Sequence, residues 1–142
     1  MASEPSKIYT RAIVDMTGGF ERESRAEIHG IAHITGGGIP GKLGRLLSPY
    51  GLGADIEDPF EPNVLMTLCQ GLGEISSQEA YKTWNMGHGM VIATNAPENV
   101  INIANKHDIS ARAIGKITSK PEINIVNMGM YKEQEPTLTF ST

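Results

Sequence analysis

The spacing of apolar residues along this chain predicts helices that alternate with single strands. Over residues 7–16 apolar positions recur every four residues, the spacing of an amphipathic helix, which Gly18-Gly19 would end. Residues 28–35 form an apolar run typical of a buried strand. A glycine turn follows that run and leads into a second helix, predicted to reach Leu47.

The rest of the chain continues this alternation. The further predicted elements are a short strand at 53–57, helices at 61–70, 76–84 and 97–107, and strands at 86–94, 111–117 and 123–130. Beyond residue 133 no such pattern is recognised, and the tail is expected to be loose. Helices alternating with single strands, with two strands late in the chain, predict an α/β fold in which helices cover a mixed sheet.

Composition narrows the class of protein. A chain of 142 residues is long enough for one domain with an adequate core. Its net charge of −4 and the lack of a basic stripe argue against nucleic acid as a partner. No apolar stretch is long enough to span a bilayer and no signal-peptide pattern opens the chain, so we expect a cytoplasmic protein without a membrane partner. The single cysteine, Cys69, lies in an apolar run and is expected to be a small buried residue.

The most informative segment for chemistry is Thr35–Gly38, where the predicted strand gives way to a glycine turn and a helix start. Glycines allow positive φ and let an anion approach the backbone, and the helix N-terminus adds N–H donors and partial positive charge. An anion, in particular a phosphate, is the predicted ligand. The alternative is a tight turn without a ligand, since the loop matches neither the P-loop nor the dinucleotide-binding pattern.

Four segments resemble a known family. Residues 29–40, HGIAHITGGGIP, are similar to the H-x-(I/L)-A-H-(I/L)-T-G-G-G segment of phosphoribosylformylglycinamidine cyclo-ligase, or aminoimidazole ribonucleotide synthase. Residues 4–9 resemble the P-T-(R/K)-I-Y that opens its C-terminal domain, residues 79–90 its E-M-Y-R-T-F-N-(M/C)-G-(I/V)-G-M, and residues 113–117 its (V/I)-I-G-x-(I/V) strand. Sister families such as selenophosphate synthetase and thiamine-monophosphate kinase share the two-domain plan but differ in these segments.

The resemblance implies a domain assignment. Residues 4–132 would be the C-terminal domain, a layered α/β/α arrangement with partial ferredoxin-like topology, and residues 133–142 the loose tail. Residues 1–3 would be the cloned start of a fragment cut from a longer enzyme, although a natural half-protein is the alternative.

The resemblance also implies a function. The family uses ATP to close formylglycinamidine ribonucleotide to 5-aminoimidazole ribonucleotide in purine biosynthesis. ATP and Mg²⁺ would be bound mainly by an N-terminal domain, and the active site would lie in the cleft between the domains of an enzyme that is a homodimer at full length. This chain alone would be inactive. The alternatives are a stand-alone phosphate- or nucleotide-binding module and a sister-family ATP-dependent enzyme.

Two residues are candidates for catalysis on the same grounds. His33 would hydrogen-bond the substrate or move a proton during ring closure, the alternative being a satisfied core histidine. Asn85 would orient the substrate with its amide, the alternative being a helix cap or a left-handed turn residue. His29 and His33 share a strand face, but no third ligand of matching spacing is found, so no metal site is predicted.

The remaining candidates would bind substrate or its phosphate. They are Thr35, Gly36, Gly37, Gly38, Arg45, Gly87 and Gly89. Gly41-Lys42 stands where the resembling segment has a Glu-Asn pair, so no contact of those side chains carries over to this chain, while Lys42 adds a positive charge. Arg45 either points at the anion or lies on the helix surface. His88 replaces an aliphatic residue, for which the sequence gives no reason.

Overall fold

The computed structural model describes residues 5–142, so the predicted fragment start at residues 1–3 lies outside the described part. In chain order the elements are α1 (Thr10–Thr17), β1 (Gly30–His33), α2 (Gly38–Leu47), β2 (Gly53–Ile56), α3 (Val64–Leu72), α4 (Ser77–Thr83), β3 (Met90–Ala93), α5 (Pro97–Lys106), β4 (Gly115–Thr118), β5 (Glu122–Val126) and β6 (Thr137–Ser141). The α/β fold class predicted from the sequence is confirmed.

The chain forms two compact units. Unit 1 comprises the described residues up to Ile31 together with Ile92–Ala113, and unit 2 comprises Ala32–Val91 and Ile114–Thr142. Each unit is built from two separate stretches of chain, so hydrophobic spacing along the sequence does not reveal the division. β1 and β3 pair in a two-stranded sheet.

The apolar faces of α1 and α5 hold unit 1 together. Its buried apolar residues are Ala12, Met16, Ala26, Val100, Ile103 and Ala104. Gly18 follows α1 in the left-handed conformation, with φ of +77°, and ends the helix as the sequence predicts. The Asp15 carboxylate lies 2.6 Å from Arg25 Nη1 and 3.2 Å from His107 Nε2. The hydrogen bond with His107 and the charge of Arg25 lower the pKa of Asp15.

A four-stranded sheet in the order β4-β2-β5-β6 forms the frame of unit 2. β2 is parallel to β5 and antiparallel to β4, and β5 is antiparallel to β6, so the sheet is mixed. Residues directly opposite each other place Ile56, Ile125 and Leu138 in one row across three strands. These residues are buried, and they share one core with apolar residues of α2 and α4.

The other face of this sheet is polar. Asp55, Asn124 and Thr139 lie in one row across the strands. Asn124 Nδ2 donates to the Asp55 carboxylate at 2.9 Å, and Thr139 donates to Asn124 Oδ1 at 2.8 Å. The hydrogen bond from Lys120 lowers the pKa of Glu122, which lies beside this row. The alternation of buried and polar positions therefore fixes which face meets α2 and α4.

The C-terminal region departs from the prediction. The last predicted strand, 123–130, ends at Val126, and the expected loose tail instead contains strand β6. Leu138 and Phe140 alternate with exposed residues along β6 and enter the core. The segment was missed because Thr and Ser between the apolar residues are also typical of loops, although the two-residue alternation was present.

Helix α3 turns a polar residue inward. Gln70 is fully buried, and its Oε1 accepts the Met130 N–H at 3.0 Å. The exposed apolar residues of the helix are Val64, Leu68 and Leu72. Cys69 is also exposed, so the expectation of a small buried cysteine is wrong. Residues 64–72 contain no charge to mark a solvent side, and the side that faces inward is the one on which Gln70 bonds the Met130 N–H.

Candidate functional site

The glycine loop joins β1 to α2 within unit 2. Gly37 and Gly38 have φ values of +103° and +57°, a region that favours glycine. A Cβ on Gly38 would overlap the carbonyl oxygen of Tyr81 and lie 2.7 Å from that of Trp84. Only glycine therefore lets the start of α2 pack directly on the C-terminal turn of α4.

Backbone N–H groups of this loop remain for a ligand. Gly38 N–H donates to Thr35 O at 3.0 Å and Gly41 N–H to Gly37 O at 2.9 Å, which closes the turn and the first helical turn. Within residues 5–142 no protein acceptor bonds the N–H groups of Gly36 and Gly37. Gly36 is exposed and Gly37 half-buried, so both donors lie at the surface beside the positive end of the helix dipole.

A second loop, Asn85–Gly89, contains the other group of predicted site residues. Asn85 O accepts the His88 N–H at 3.0 Å, and Asn85 Oδ1 accepts the Gly87 N–H at 3.2 Å. Both central residues have positive φ, +46° at Met86 and +89° at Gly87. A buried methionine in this conformation is strained, a condition that clusters at functional sites.

Asn85 is not the helix cap or left-handed turn residue that the sequence analysis gave as its alternative role. Trp84 is the residue that ends α4, and Met86 takes the left-handed conformation, so Asn85 is neither the cap nor the left-handed residue. Its side chain is half-buried. In the described part of the chain its Nδ2 group has no protein acceptor, which leaves an amide donor for a ligand.

The two loops are neighbours. Ile34 N–H, next to Thr35, donates to Gly89 O at 2.9 Å. At the other end, Gly38 contacts the carbonyl of Trp84, the residue before Asn85. Residues about fifty positions apart in sequence thus come together, and the predicted site residues of both loops occupy one region.

Cations adjoin the glycine loop. A cleft of about 530 Å³ is lined by Gly37, Pro40, Gly41, Gln78, Lys82, Thr139, Phe140 and Ser141. Lys42 Cε lies 3.9 Å from the position that a Cβ on Gly37 would take. Lys82 and Gln78 were not predicted, although Lys82 occupies the arginine position of the resembling E-M-Y-R-T-F-N segment. Lys82 and Gly37 therefore line the cleft and Lys42 lies beside Gly37, so a backbone donor and two lysines are grouped in a set suited to an anion.

Comparison with known proteins identifies the family. Residues 4–126 match the family model described as AIR synthase related protein, C-terminal domain. The chain belongs to this family.

Relatives of this domain are named for one enzyme. The phosphoribosylformylglycinamidine cyclo-ligase of Pseudothermotoga lettingae is 40% identical over 116 residues, which cover 80% of this chain and 32% of that enzyme. The cyclo-ligase of Acetivibrio thermocellus is 37% identical over 122 residues, or 84% of this chain and 34% of the enzyme. The chain thus spans about a third of the length of the curated relatives it matches.

Solved structures with the same fold include two of T. maritima PurL. The complex with AMPPCP superposes with a TM-score of 0.57 at 14% identity, covering 92% of this chain and 20% of PurL. The complex with FGAR gives a TM-score of 0.54 at 15% identity over 81% of this chain and 17% of PurL. At this identity the likeness supports the AIR synthase related fold alone.

Histidines of the family's H-x-(I/L)-A-H segment lie at the surface. His33 is exposed at the end of β1, which is incompatible with the alternative of a core histidine. His29 Nε2 lies 3.4 Å from a Glu27 carboxylate oxygen. Across the described residues no three His, Cys, Asp or Glu side chains are grouped so that they could hold a metal ion.

Arg45 is separated from the glycine loop. It is exposed in the last turn of α2, whereas the loop precedes the first turn. At a rise of 1.5 Å per residue the two positions are roughly 12 Å apart along the helix axis. Of the two alternatives for Arg45, its position corresponds to the helix surface, and Lys42 and Lys82 are the cations beside the loop.

Two residues near Asn85 are closely packed. A Cβ on Gly87 would collide with the Glu61 carbonyl oxygen, so glycine is required by the segment packed against it. Burial raises the pKa of Tyr81, whose phenol oxygen accepts the Met128 N–H at 2.9 Å. Tyr81 is therefore a neutral core residue that supports the end of α4.

None of the helices described for this chain has the length and apolar character needed to cross a bilayer.

Proposed function

We propose that this chain works as the C-terminal domain of an ATP-dependent cyclo-ligase that closes formylglycinamidine ribonucleotide to 5-aminoimidazole ribonucleotide. The observation that carries the proposal is the match of residues 4–126 to the AIR synthase related C-terminal domain. Relatives at 34–40% identity are named for this activity. Because the chain spans about a third of them, an ATP-binding domain would complete the enzyme, which would be a cytoplasmic homodimer.

The reaction joins a phosphoryl transfer to a ring closure. ATP transfers its terminal phosphoryl group to the formamide oxygen of the substrate, which turns that oxygen into a good leaving group. The neighbouring amidine nitrogen then attacks the formamide carbon, the bond between that carbon and the phosphorylated oxygen breaks, and inorganic phosphate leaves. Such a reaction depends mainly on positioning and on stabilising charge.

In this proposal the glycine loop binds the ribose phosphate of the substrate. The N–H groups of Gly36 and Gly37 would donate to phosphate oxygens, and Thr35 would add its hydroxyl. Lys42 and Lys82 would balance the negative charge from the side of the cleft. Lys42 would thus add a positive charge at a position where the resembling segment has a Glu-Asn pair.

Asn85 and His33 would act on the reacting part of the substrate. The Asn85 Nδ2 group would donate a hydrogen bond that orients the formamide. His33, exposed at the end of the strand that leads into the loop, would accept or return a proton during ring closure. Gly89 keeps the two loops together through its carbonyl.

ATP and Mg²⁺ are assigned to the ATP-binding domain. Mg²⁺ prefers several oxygen ligands, and in residues 5–142 no acidic cluster that could hold a metal ion is found. The residues present do not fit the ion, so no step is assigned to Mg²⁺ on this chain.

The test is an amide chemical-shift titration of the chain with formylglycinamidine ribonucleotide, ATP and inorganic phosphate in parallel. The proposal predicts shifts at Thr35–Gly38 and Asn85 with the ribonucleotide, and weaker shifts with inorganic phosphate at the loop alone. Shifts with ATP only would instead indicate a nucleotide-binding module. The absence of shifts with all three would overturn the assignment of the substrate phosphate to this domain.

Matched lysine variants sharpen this test. Lys82→Gln and Lys42→Gln are expected to weaken ribonucleotide binding about three- to tenfold each, and to reduce its salt dependence. Lys116→Gln is the control, because Lys116 lies on β4 and pairs with Glu57 at 3.2 Å. Equal losses in all three variants would point to the net charge of the chain rather than to this cleft.

A further inference from the structure

His88 stands in the Asn85–Gly89 loop where the resembling segment has Ile or Val. Its side chain is only 3% exposed, and its ring lies 5.5 Å from that of Phe60, tilted by 59°. A buried polar ring in place of an aliphatic side chain costs free energy unless its nitrogens are satisfied. The structure supplies a partner for each of them.

The partners determine the protonation state of the ring. The Phe60 backbone N–H lies 3.0 Å from Nε2 and can only donate, so Nε2 carries no proton. The Met86 carbonyl oxygen lies 3.0 Å from Nδ1 and can only accept, so Nδ1 carries the proton. His88 is therefore neutral in its Nδ1–H form, a form that the two backbone groups select together.

These bonds join the Asn85–Gly89 loop to a distant segment. Phe60 belongs to residues 57–63, which precede α3, and a Cβ on Gly87 would collide with the Glu61 carbonyl of the same segment. The His88 backbone N–H also donates to Asn85 O at 3.0 Å. One residue thus bonds the segment through its ring and the Asn85 turn through its backbone.

We propose that His88 is a positioning residue for the candidate site: its neutral ring clamps residues 57–63 to the Asn85–Gly89 loop and holds the strained turn that presents the Asn85 amide. Protonation of Nε2 removes the acceptor of the Phe60 N–H and releases the clamp. The role of the clamp in substrate binding rests on the proposed function, whereas the clamp itself does not.

The charged side chains of the two segments that the clamp joins all lie on residues 57–63. Residues 57–63 carry Glu57, Asp58 and Glu61, all exposed, and Lys116 of β4 pairs with Glu57. Residues 84–90 hold no Asp, Glu, Lys or Arg, and neither do residues 127–130, which lie against Met86 at Gly129. Three carboxylates of one segment therefore accompany the Phe60 end of the clamp.

The first part of the test is the ring itself. Long-range proton–nitrogen NMR spectra of the labelled chain are expected to show the Nδ1–H form of His88 at neutral pH. Titration to acid is expected to shift the Phe60, Asn85 and Gly87 amides together with the His88 ring signals. An Nε2–H form, or amides that do not follow the ring, would overturn the proposal.

The second part compares variants by hydrogen exchange. His88→Val removes the acceptor and is expected to speed exchange of the Phe60 amide roughly 5- to 150-fold, because a part-buried donor loses its bond to the ring. His88→Gln keeps a side-chain acceptor and is expected to restore part of the protection and the Asn85 shift. His29→Gln is the control at an exposed histidine. Unchanged Phe60 exchange in His88→Val would contradict the clamp, and His88→Gln gives the same information if the valine variant does not fold.

A ligand titration separates this inference from the proposed function. If the clamp positions Asn85, His88→Val weakens binding of formylglycinamidine ribonucleotide, His88→Gln restores it in part, and wild-type binding falls with acid in step with the His88 ring signals. Ribonucleotide binding that is equal in wild type and His88→Val would overturn the positioning role. If the wild-type chain binds no ribonucleotide while the ring and exchange results hold, the proposed function fails and the clamp stands.

Discussion

At the scale of single residues, two glycines of one loop differ in the space available for a side chain. A Cβ on Gly38 would meet backbone carbonyl oxygens of α4 at positive φ, whereas a Cβ on Gly36 has open space. We expect Gly38→Ala to lower the free energy of unfolding by about 2 to 4 kcal/mol, from backbone strain and overlap together. Gly36→Ala, the matched control, should change it by less than about 0.5 kcal/mol. Urea denaturation measures both, and equal effects would contradict the close packing of α2 on α4.

Asp15 gives a prediction on pH at the same scale. Its pKa is lowered in the folded chain by the hydrogen bond with His107 and by Arg25. A lowered folded pKa stabilises the native state above the unfolded value of about 3.9 and loses that contribution as pH falls through the folded value. Asp15→Asn should therefore be less stable than wild type at neutral pH, and the difference should shrink below about pH 4. Denaturation at several pH values tests this, with exposed Glu133→Gln as control; a difference that persists at pH 2 would contradict it.

At the scale of elements, α3 reverses the usual rule that apolar residues face inward. Leu68 is about half exposed, whereas Gln70 is fully buried and accepts the Met130 N–H. Leu68→Ala should therefore cost less than about 0.5 kcal/mol of unfolding free energy. Gln70→Ala should cost about 1 to 3 kcal/mol, because it removes the acceptor of the part-buried Met130 N–H and opens a cavity. Thermal denaturation compares them, and the opposite order would show that α3 faces the other way.

Strand β6 provides a second test at this scale. Phe140 is buried in the core of unit 2, while Thr139 lies on the polar face. Phe140→Ala should lower the free energy of unfolding by about 3 to 5 kcal/mol, the usual loss when an aromatic side chain is removed from a core. Thr139→Ala should cost about 1 kcal/mol or less through its hydrogen bond to Asn124. A negligible loss in Phe140→Ala would mean that the tail is loose in solution.

At the scale of the whole molecule, the chain spans about a third of the cyclo-ligases it matches, so we expect the proposed activity to need the rest of such an enzyme. A chimera in which this chain replaces the matching third of the Pseudothermotoga lettingae cyclo-ligase should close the ring with ATP, whereas the chain alone should not. Asn85→Ala in the chimera should lower kcat/KM about 10- to 100-fold, the value of one well-placed hydrogen bond. Asn124→Ala, on the polar sheet face, is the control. A folded chimera without activity would contradict the assignment.

The fold class and the two loops of the candidate site were predictable from the sequence for local reasons. Four-residue spacing in 7–16 and the apolar run before Thr35 depend on neighbours in the chain, as does the left-handed turn at Gly18. β6 was missed and Cys69 was wrongly expected in the core, because local pattern there was compatible with two structures. The resemblance supplied the candidate residues, and their roles remain predictions.

By itself, then, the sequence determined that helices alternate with strands through most of the chain, which loop offers backbone donors, and which family the residues resemble. Only the tertiary structure decided that Gly38 rests on α4, that Lys82 lines the cleft, and that Arg45 lies a helix length from the loop. It also gave the reason for His88, whose two hydrogen-bond partners lie in different segments. The physical cause is the distance along the chain over which each interaction acts. Periodicity and turn chemistry act over a few residues, whereas packing and the pairing of buried polar groups depend on residues that only folding brings together.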